Sequence, residues 1–388
     1  MDLVIVVVPS PARAASWRAR LPGAVVVVED WPGGAGNGLG TLHALRQVGA
    51  ESVLARLGAG EAVAVYHTAG RGTRLAPLPL AEGGDKAAVR LPGGTLLEAV
   101  LRQTAPYAPS RRGRLSVFWG DQLFLPTSYA HAPRHHVDLL ARLGDSPDPR
   151  YGAVLVGEDE EARLYEKVVP PAGATGRSGR SLGCFSLSAP MLAALLDLFA
   201  PELDARRGRL DSDPDWWMPW TLPEEDYVAL GGDRAHHRRL RALDPGGGLG
   251  RLGVVDVGRD APWWDLGSLR TWRDHLLGGD RRLYGLLGAT PGGNVIVDVE
   301  ADRVEAEEAV LIGVRARSIR CEGGVAYHVE ADDLVLGPGE VRVDVVLDGR
   351  RIPLRTTLDR DGGADWHHVL PENDLSYAEV HAAVTGRC

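Results

Sequence analysis

Two continuous β-branched runs, Leu3–Val8 (LVIVVV) and Ala24–Val28 (AVVVV), bracket a stretch, Ala12–Leu21, that reads as a helix. A strand that is apolar at every position has no face to offer to water, so it belongs inside a parallel sheet covered on both sides. Strand, helix and strand in that order form a βαβ unit, and an α/β, doubly wound sheet is the expected frame. Val63–Tyr66, Leu115–Trp119, Tyr151–Gly157, Ser181–Ser188 and Val254–Val257 supply further strands. Helical patterns run from Leu42 to about Leu57 and from Pro190, with Leu192, Leu195, Leu196 and Phe199 on one stripe. Thr95-Leu96-Leu97-Glu98 has the capping-box spacing that opens a helix.

The chain has 388 residues, more than one domain usually holds. From about Gly292 the long helical patterns stop, and short Val, Ile and Leu runs alternate with glycine and acidic residues. Val304 and Val310 are six apart, as are Val329, Val335, Val341 and Leu347, and a six-residue apolar period marks a parallel β-helix. The expected organisation is an α/β domain over 1–288 with a mixed central sheet, and a smaller, β-rich, β-helix-like domain over 289–388, closed by a helix near Ser376–Thr385. A formal net charge of −9 argues against non-specific nucleic-acid binding. Three cysteines without paired spacing, Cys184, Cys321 and Cys388, fit neither a disulfide framework nor a thiolate zinc site, and a reducing cytoplasm is the natural setting. No apolar run approaches the ~18 residues that a membrane span needs.

Two glycine-rich turns carry the chemistry. The first is Gly33-Gly34-Ala35-Gly36-Asn37-Gly38-Leu39-Gly40-Thr41, running into a helix, an arrangement that either binds an anion at the helix N-terminus or serves as a flexible connection. The second follows the Val63–Tyr66 strand: Ala69-Gly70-Arg71-Gly72-Thr73-Arg74-Leu75, then a proline-broken loop to Asp85-Lys86. Glycine lets backbone N–H groups approach a phosphate, and Arg74 and Lys86 would place two cations on one polyanion. The P-loop pattern is absent, since no GxxxxGK[ST] occurs. Asp121 follows the Leu115–Trp119 strand, at the carboxyl end where open α/β sheets bind ligands; it reads as a metal ligand or as a turn residue.

Gly-x-Gly-Thr-Arg-Leu, then Pro, then a lysine about a dozen residues on resembles the signature loop of the sugar-1-phosphate nucleotidyltransferases. With Gly36-Asn37-Gly38-Leu39-Gly40-Thr41-Leu42 before it and His67-Thr68-Ala69-Gly70-Arg71-Gly72-Thr73-Arg74 within it, the order is similar to the fucose-1-phosphate guanylyltransferase group, which the valienol-1-phosphate guanylyltransferase-like enzymes of aminocyclitol biosynthesis also resemble. Trp263-Trp264-Asp265-Leu266-Gly267-Ser268 resembles the Trp-x-Asp-x-Gly-Thr motif of the bacterial hexose-1-phosphate enzymes, with serine in place of threonine. The resemblance covers roughly residues 1–280.

It implies a Rossmann-like (GT-A-like) domain. The implied reaction joins a nucleoside triphosphate to a sugar or cyclitol 1-phosphate, releasing pyrophosphate and giving a product such as GDP-fucose, GDP-mannose, GDP-heptose or GDP-valienol. GTP is the first expectation for the nucleotide, then UTP or dTTP. Mg²⁺ is the implied cofactor, with Asp121 and Asp265 as ligands. Arg74 would hold the leaving pyrophosphate, Lys86 the nucleotide and Lys167, in Glu166-Lys167, the sugar phosphate. Gly36, Gly38, Gly40, Thr41, Ala69, Gly70, Gly72 and Thr73 would line the nucleotide. No membrane or nucleic-acid partner is implied, and a homo-oligomer, such as a dimer, is expected. The rival is a non-enzymatic nucleotide-sugar sensor on the same fold, against which the presence of Arg74, Lys86, Asp121, Lys167 and Asp265 together argues.

Asp211-Ser212-Asp213-Pro214-Asp215-Trp216-Trp217-Met218-Pro219-Trp220 puts carboxylates beside indoles. Sugars stack on aromatic faces and hydrogen-bond to carboxylates, so Asp213, Asp215 and Trp216 are either substrate-binding or a packed loop; Gly183 is counted with the substrate-binding residues. His131, His135 and His136 read as the solvated face of a short helix ending at Gly144, because no cysteine or carboxylate completes a zinc set beside them. Arg234–Arg241 reads as a charged surface face, and 170–180 as a loop.

Overall fold

The structure is a computed structural model that describes the chain except for residues 128–133, 147, 171–174, 290–291, 371 and 387–388. The chain forms two compact units. The first comprises Met1–Ala69, Thr104–Trp119 and Pro126–Ala261; the second comprises Gly70–Gln103, Gly120–Leu125 and Pro262–Cys388. The second unit therefore holds the β-rich C-terminal region together with the second glycine turn and the Asp121 segment.

In the first unit the β-branched runs lie side by side as expected. Leu3–Val8 pairs in parallel with Val25–Val28 on one edge and with Val63–His67 on the other, and Val63–His67 pairs in parallel with Arg114–Trp119. Arg177–Ser188 then runs antiparallel to Arg114–Trp119, which makes the sheet mixed. It also pairs antiparallel with Ala153–Val156 and His135–Leu143, and Gly250–Asp256 runs parallel to His135–Leu143. Pro11–Arg20 is helical, with the Ser10 hydroxyl capping the Arg13 amide. The long helix expected after Leu42 is two helices, Gly36–Val48 and Ala50–Gly58, broken where Gly49 adopts a φ of 100°.

Two expectations fail here for physical reasons. His135–Leu143 is a strand, not a helix, and all but one of its nine residues are buried. Tertiary burial on both faces overrides the helical propensity of its leucines. His136 Nδ1 lies 2.8 Å from the Ser188 hydroxyl, and His135 lies 3.4 Å from Asp138, so both imidazoles are interior groups and not a solvated face. His131 lies outside the described residues. The strand expected from Ser181 begins at Arg177, inside the stretch expected as a loop. Arg234–Arg241 is a helix capped by Asp233, with Arg234 and Arg238 paired to Glu224 and Arg239 to Glu202.

In the second unit the C-terminal region is a stack of parallel strands. Val295–Val297, Val310–Ile312 and Val325–Tyr327 pair in parallel in turn, and Val325–Tyr327 pairs with the start of Glu340–Leu347. A second parallel sheet holds Arg303–Glu307, Arg315–Glu322 and Glu330–Leu336. Leu311, Ile319, Ala326, Val329, Leu334 and Leu336 belong to one buried cluster. The β-helical expectation holds, but its period does not. Equivalent positions, such as Glu300 and Arg315, stand 15 residues apart. Val304 and Val335, which suggested a step of six, point outward, and Val335 is 67% exposed. Tyr377–Thr385 closes the chain as a helix, with a Ser376–Glu379 capping box.

The corrected period separates inward from outward positions. Ile319→Ala, at a site 1% exposed, should cost about 2–4 kcal/mol by opening a cavity. Val335→Thr should stay within about 0.5 kcal/mol of the parent. Denaturant unfolding of both variants checks this, and equal losses would restore the six-residue register.

Candidate active site

The second glycine turn is built around Lys86. Gly72 is left-handed at φ 64° and opens the single turn Thr73–Leu75. A side chain on Gly72 would place its Cβ 3.1 Å from the Lys86 Cβ and Cγ, and one on Gly70 would lie 3.9 Å from the Lys86 ammonium. The lysine stem thus lies along the Gly70–Gly72 backbone. Asp85 caps the turn Lys86–Ala88 through the Ala87 amide at 3.0 Å, which fixes the direction in which the lysine leaves the chain. The Lys86 ammonium ends 2.8 Å from Asp121 Oδ2, in a pair whose side chains are 16% and 14% exposed.

Asp121 and Asp265 are brought together by a two-stranded antiparallel ribbon. Trp263–Asp265 pairs with Gln122–Phe124, so that Asp265 faces Gln122, and the Leu266 amide donates to the Asp121 carbonyl at 2.9 Å. The clearest measure of convergence is Gly267. A side chain there would put its Cβ 3.0 Å from Asp265 Oδ1, 3.2 Å from Asp121 Oδ2 and 3.3 Å from Arg74 Nη2. Two carboxylates and a guanidinium surround a point that only glycine leaves open. Gly267 lies inside the motif quoted from the sequence, yet its spacing alone does not reveal this role. Ser268 caps the helix Leu269–Gly278 and shares a capping box with Thr271, so its hydroxyl is committed to that helix end.

Two carboxylate oxygens flanking one space, with cations beside them, suit Mg²⁺, which takes few protein ligands and completes its shell with water and phosphate oxygens. Among the described residues, no cluster of three or more His, Cys, Asp or Glu side chains forms a self-sufficient metal site. The donor set fits a metal that arrives with a polyphosphate better than one held permanently.

The remaining predicted residues lie in the first unit. Ala69, its last residue before the turn, packs against that unit's core. Around the first glycine turn the chain itself takes the space. A Cβ on Gly36 would lie 2.5 Å from the Leu210 carbonyl, and one on Gly38 would lie 2.9 Å from both that carbonyl and the Trp216 ring. The Asn37 amide donates to Asp211 Oδ1 at 2.9 Å, and the Gly38 and Leu39 amides donate to the Leu210 carbonyl at 2.9 and 3.3 Å. These glycines clear a path for residues 210–216, and the amides of Asn37, Gly38 and Leu39 are already satisfied. Asp211, which the sequence reading left without a role, is the capping acid.

At Gly40 the neighbours are Glu29 and His67, each 3.5 Å from a hypothetical Cβ. Thr41 donates its hydroxyl proton to the Asn37 carbonyl at 2.7 Å, so the 2.6 Å contact with His67 Nε2 is a bond donated by the imidazole. Burial pushes the His67 pKa down to about 4.

Lys167 sits at a left-handed φ of 56°, exposed, with its ammonium 3.4 Å from Glu166. Asp213 is buried, and burial followed by the Glu166 charge holds its carboxyl well above the usual range. Asp215 is raised in the same direction by burial, while accepting the Asp211 amide at 2.7 Å. Trp216 is corrected to a core residue. It has no exposed surface, and its ring stacks on Phe199 at 5.6 Å and meets Trp217 edge-on. An indole enclosed on both sides has no face for a sugar. Residues 211–220 are accordingly not a loop but a helical turn, Asp213–Trp217, followed by the helix Met218–Thr221. Gly183, at φ 72°, makes room for the Trp119 indole nitrogen, 2.4 Å from where its Cβ would be.

The histidine gives a pH test. Because the folded-state pKa of His67 is depressed, the folded protein stays neutral there while the unfolded chain takes up a proton below ~6.5. Stability is lost as pH falls from about 6.5 towards 4, by about 3 kcal/mol for this group alone. Chemical unfolding at pH 7 and pH 4.5 should show a smaller acid loss in His67→Gln than in the parent, and an equal loss in both would refute the assignment.

No helix among the described residues is long and apolar enough to cross a membrane. Cys184 and Cys321 are buried free thiols, and Cys388 lies outside the described residues. No protein-family model and no curated protein matches the chain. Among solved structures it is similar to the CTP:phosphocholine cytidylyltransferase of Streptococcus pneumoniae at 13% identity and a TM-score of 0.32, over 55% of this chain and 97% of that one.

Proposed function

We propose that the protein is a Mg²⁺-dependent nucleotidyltransferase that joins a nucleoside triphosphate, GTP in the first instance, to a sugar or cyclitol 1-phosphate and releases pyrophosphate. The observation that carries the reading is the meeting of Arg74, Asp121 and Asp265 around Gly267, beside a glycine turn lined by Lys86. Two carboxylates, two cations and an open backbone turn within one small region supply what transfer between two phosphate-bearing substrates needs.

The reaction needs no side-chain nucleophile. An oxygen of the sugar phosphate attacks the α-phosphorus in line, and pyrophosphate leaves with the electron pair of the broken P–O bond. The protein's work is to position two polyanions and offset their charge. Arg74 offers a planar fork to the leaving pyrophosphate. Lys86, directed by the Asp85 cap and fixed by Asp121, places a compact cation beside the turn amides of 70–73. The role of Lys167 on the sugar phosphate rests on the sequence resemblance alone. Asp121 and Asp265 would hold Mg²⁺, which when bound adds charge neutralisation on the phosphates. The choice of GTP and of a homo-oligomeric enzyme rests on the sequence resemblance described above, and the cytoplasmic setting on the three cysteines without paired spacing.

Pyrophosphate release should require both a nucleoside triphosphate and a sugar or cyclitol 1-phosphate, tested over a grid of each with Mg²⁺. Asp121→Ala and Arg74→Ala should each lower kcat by roughly 10³-fold. Gly267→Ala should lower it by about tenfold, because its Cβ would press on all three charged groups, with little change in thermal stability. Nucleotide-sugar binding without turnover across the whole grid would favour the sensor. Full activity in Asp121→Ala would overturn the site.

A further inference from the structure

We infer that the C-terminal end of the chain is a positioning frame for the turn that carries Arg74 and Lys86. The frame's geometry stands by itself, and its effect on catalysis rests on the function proposed above. All the residues involved belong to the second unit. The turn is held at three places.

Gly362 is the tightest. A Cβ there would lie 2.5 Å from the Thr73 carbonyl oxygen and 2.9 Å from the Ala76 Cβ, closer than packed atoms approach. Gly362 is not among the residues with positive φ, so glycine is needed for clearance and not for backbone conformation. A Cβ on its neighbour Gly363 would lie 3.4 Å from Thr73 Oγ1 and 3.6 Å from Arg74 Cγ, the range of ordinary contact. Two bonds fix this segment from within: Asp361 accepts the Gly363 amide at 2.7 Å, and Arg360 pairs with Asp365 at 2.6 Å.

The second hold lies four residues before Lys86. The Tyr327 hydroxyl and His328 Nε2 both donate to Glu82 Oε1, the imidazole at 2.9 Å. Tyr327 is fully buried, and its oxygen also accepts the Arg90 amide at 2.8 Å, while the Arg90 guanidinium pairs with Asp298. The third hold is the closing helix. A Cβ on Gly84 would meet Thr385 Cγ2 at 2.6 Å and the His381 ring at 3.2 Å.

Arg74 and Lys86 therefore lie between fixed points at Thr73, Glu82, Gly84 and Arg90. Fixing a long cationic side chain on a phosphate costs rotamer entropy, and a backbone that is already held adds no further ordering cost to it. Gly362 and Tyr327 touch no reacting group in this scheme; they are positioning residues.

The test uses the full chain with Gly362→Ala and Tyr327→Phe, and with Gly285→Ala as control. Gly285 is in the helix Arg281–Leu287 with nothing within 4 Å of a hypothetical Cβ. Amide hydrogen exchange over residues 70–90 should speed up about tenfold or more in both variants, while exchange in the Leu3–Val8 and Val63–His67 strands stays at the parent rate. The KM for the triphosphate should rise about tenfold, with the KM for the sugar phosphate within about twofold of the parent. The control should match the parent in every readout. If Gly362→Ala does not fold, Tyr327→Phe decides alone. Unchanged exchange over 70–90 overturns the frame, and so does faster exchange with no change in triphosphate KM. If the parent shows neither turnover nor calorimetric binding of magnesium pyrophosphate, the functional reading falls, and the exchange data still decide the frame.

Discussion

Two carboxylates held around one point repel each other, and the structure is arranged so that this repulsion is met from the protein's own side. Asp121 and Asp265 cannot drift apart, because the Leu266 amide is bonded to the Asp121 carbonyl and the ribbon fixes Asp265 opposite Gln122. Lys86 sits on Asp121, and Arg74 stands at the same point. Like charges in a partly shielded site raise the free energy of the folded state unless cations stand near them. The ion pair is thus a condition for forming the site, and the glycines at 72 and 267 are conditions for forming the ion pair and the convergence. A chain with a net charge of −9 gathers its cations here by local geometry, not by overall balance.

What the sequence made legible follows from how local each signal is. The runs Leu3–Val8 and Val63–Tyr66 are apolar and read as interior parallel strands, and they pair as such. Thr95 and Glu98 announce a helix start three residues apart, and the structure bonds the Thr95 amide to the Glu98 carboxylate at 2.9 Å. The 63–92 stretch is short enough that glycine spacing and a lysine suffice to bring Lys86 onto the turn. The capping of Asn37 by Asp211 spans 174 residues, and no local pattern points across such a distance. Gly362 against Thr73 is invisible for the same reason.

Other misreadings come from burial that a periodicity does not encode. His135–Leu143 has helix-forming leucines and a plausible apolar stripe, yet it lies between Arg177–Ser188 and Gly250–Asp256 in the sheet, and packing on both faces decides its state. Trp216 beside Asp215 looks like a sugar platform, and the space across its ring is already filled by Phe199 and by the path that Gly38 opens. In the C-terminal region the six-residue count mixed inward positions such as Val310 with outward ones such as Val335. Alternating strands and turns impose the longer step, which shows only when the register is known.

That longer step makes successive coils near-equivalents of one another. Each coil stacks on its neighbour through the same pairs, Val295 on Val310 and Val310 on Val325, so coils are interchangeable in a way that single residues are not. The step is 15 residues from Val295 to Val310 to Val325 and 16 from Val325 to Val341, the extra residue being taken up between the strands while Val341 stays buried. Tyr327 fixes which coil faces Glu82. A slip by one coil would take the Tyr327 hydroxyl away from Glu82, so this rung ties the stack to one register against the glycine turn.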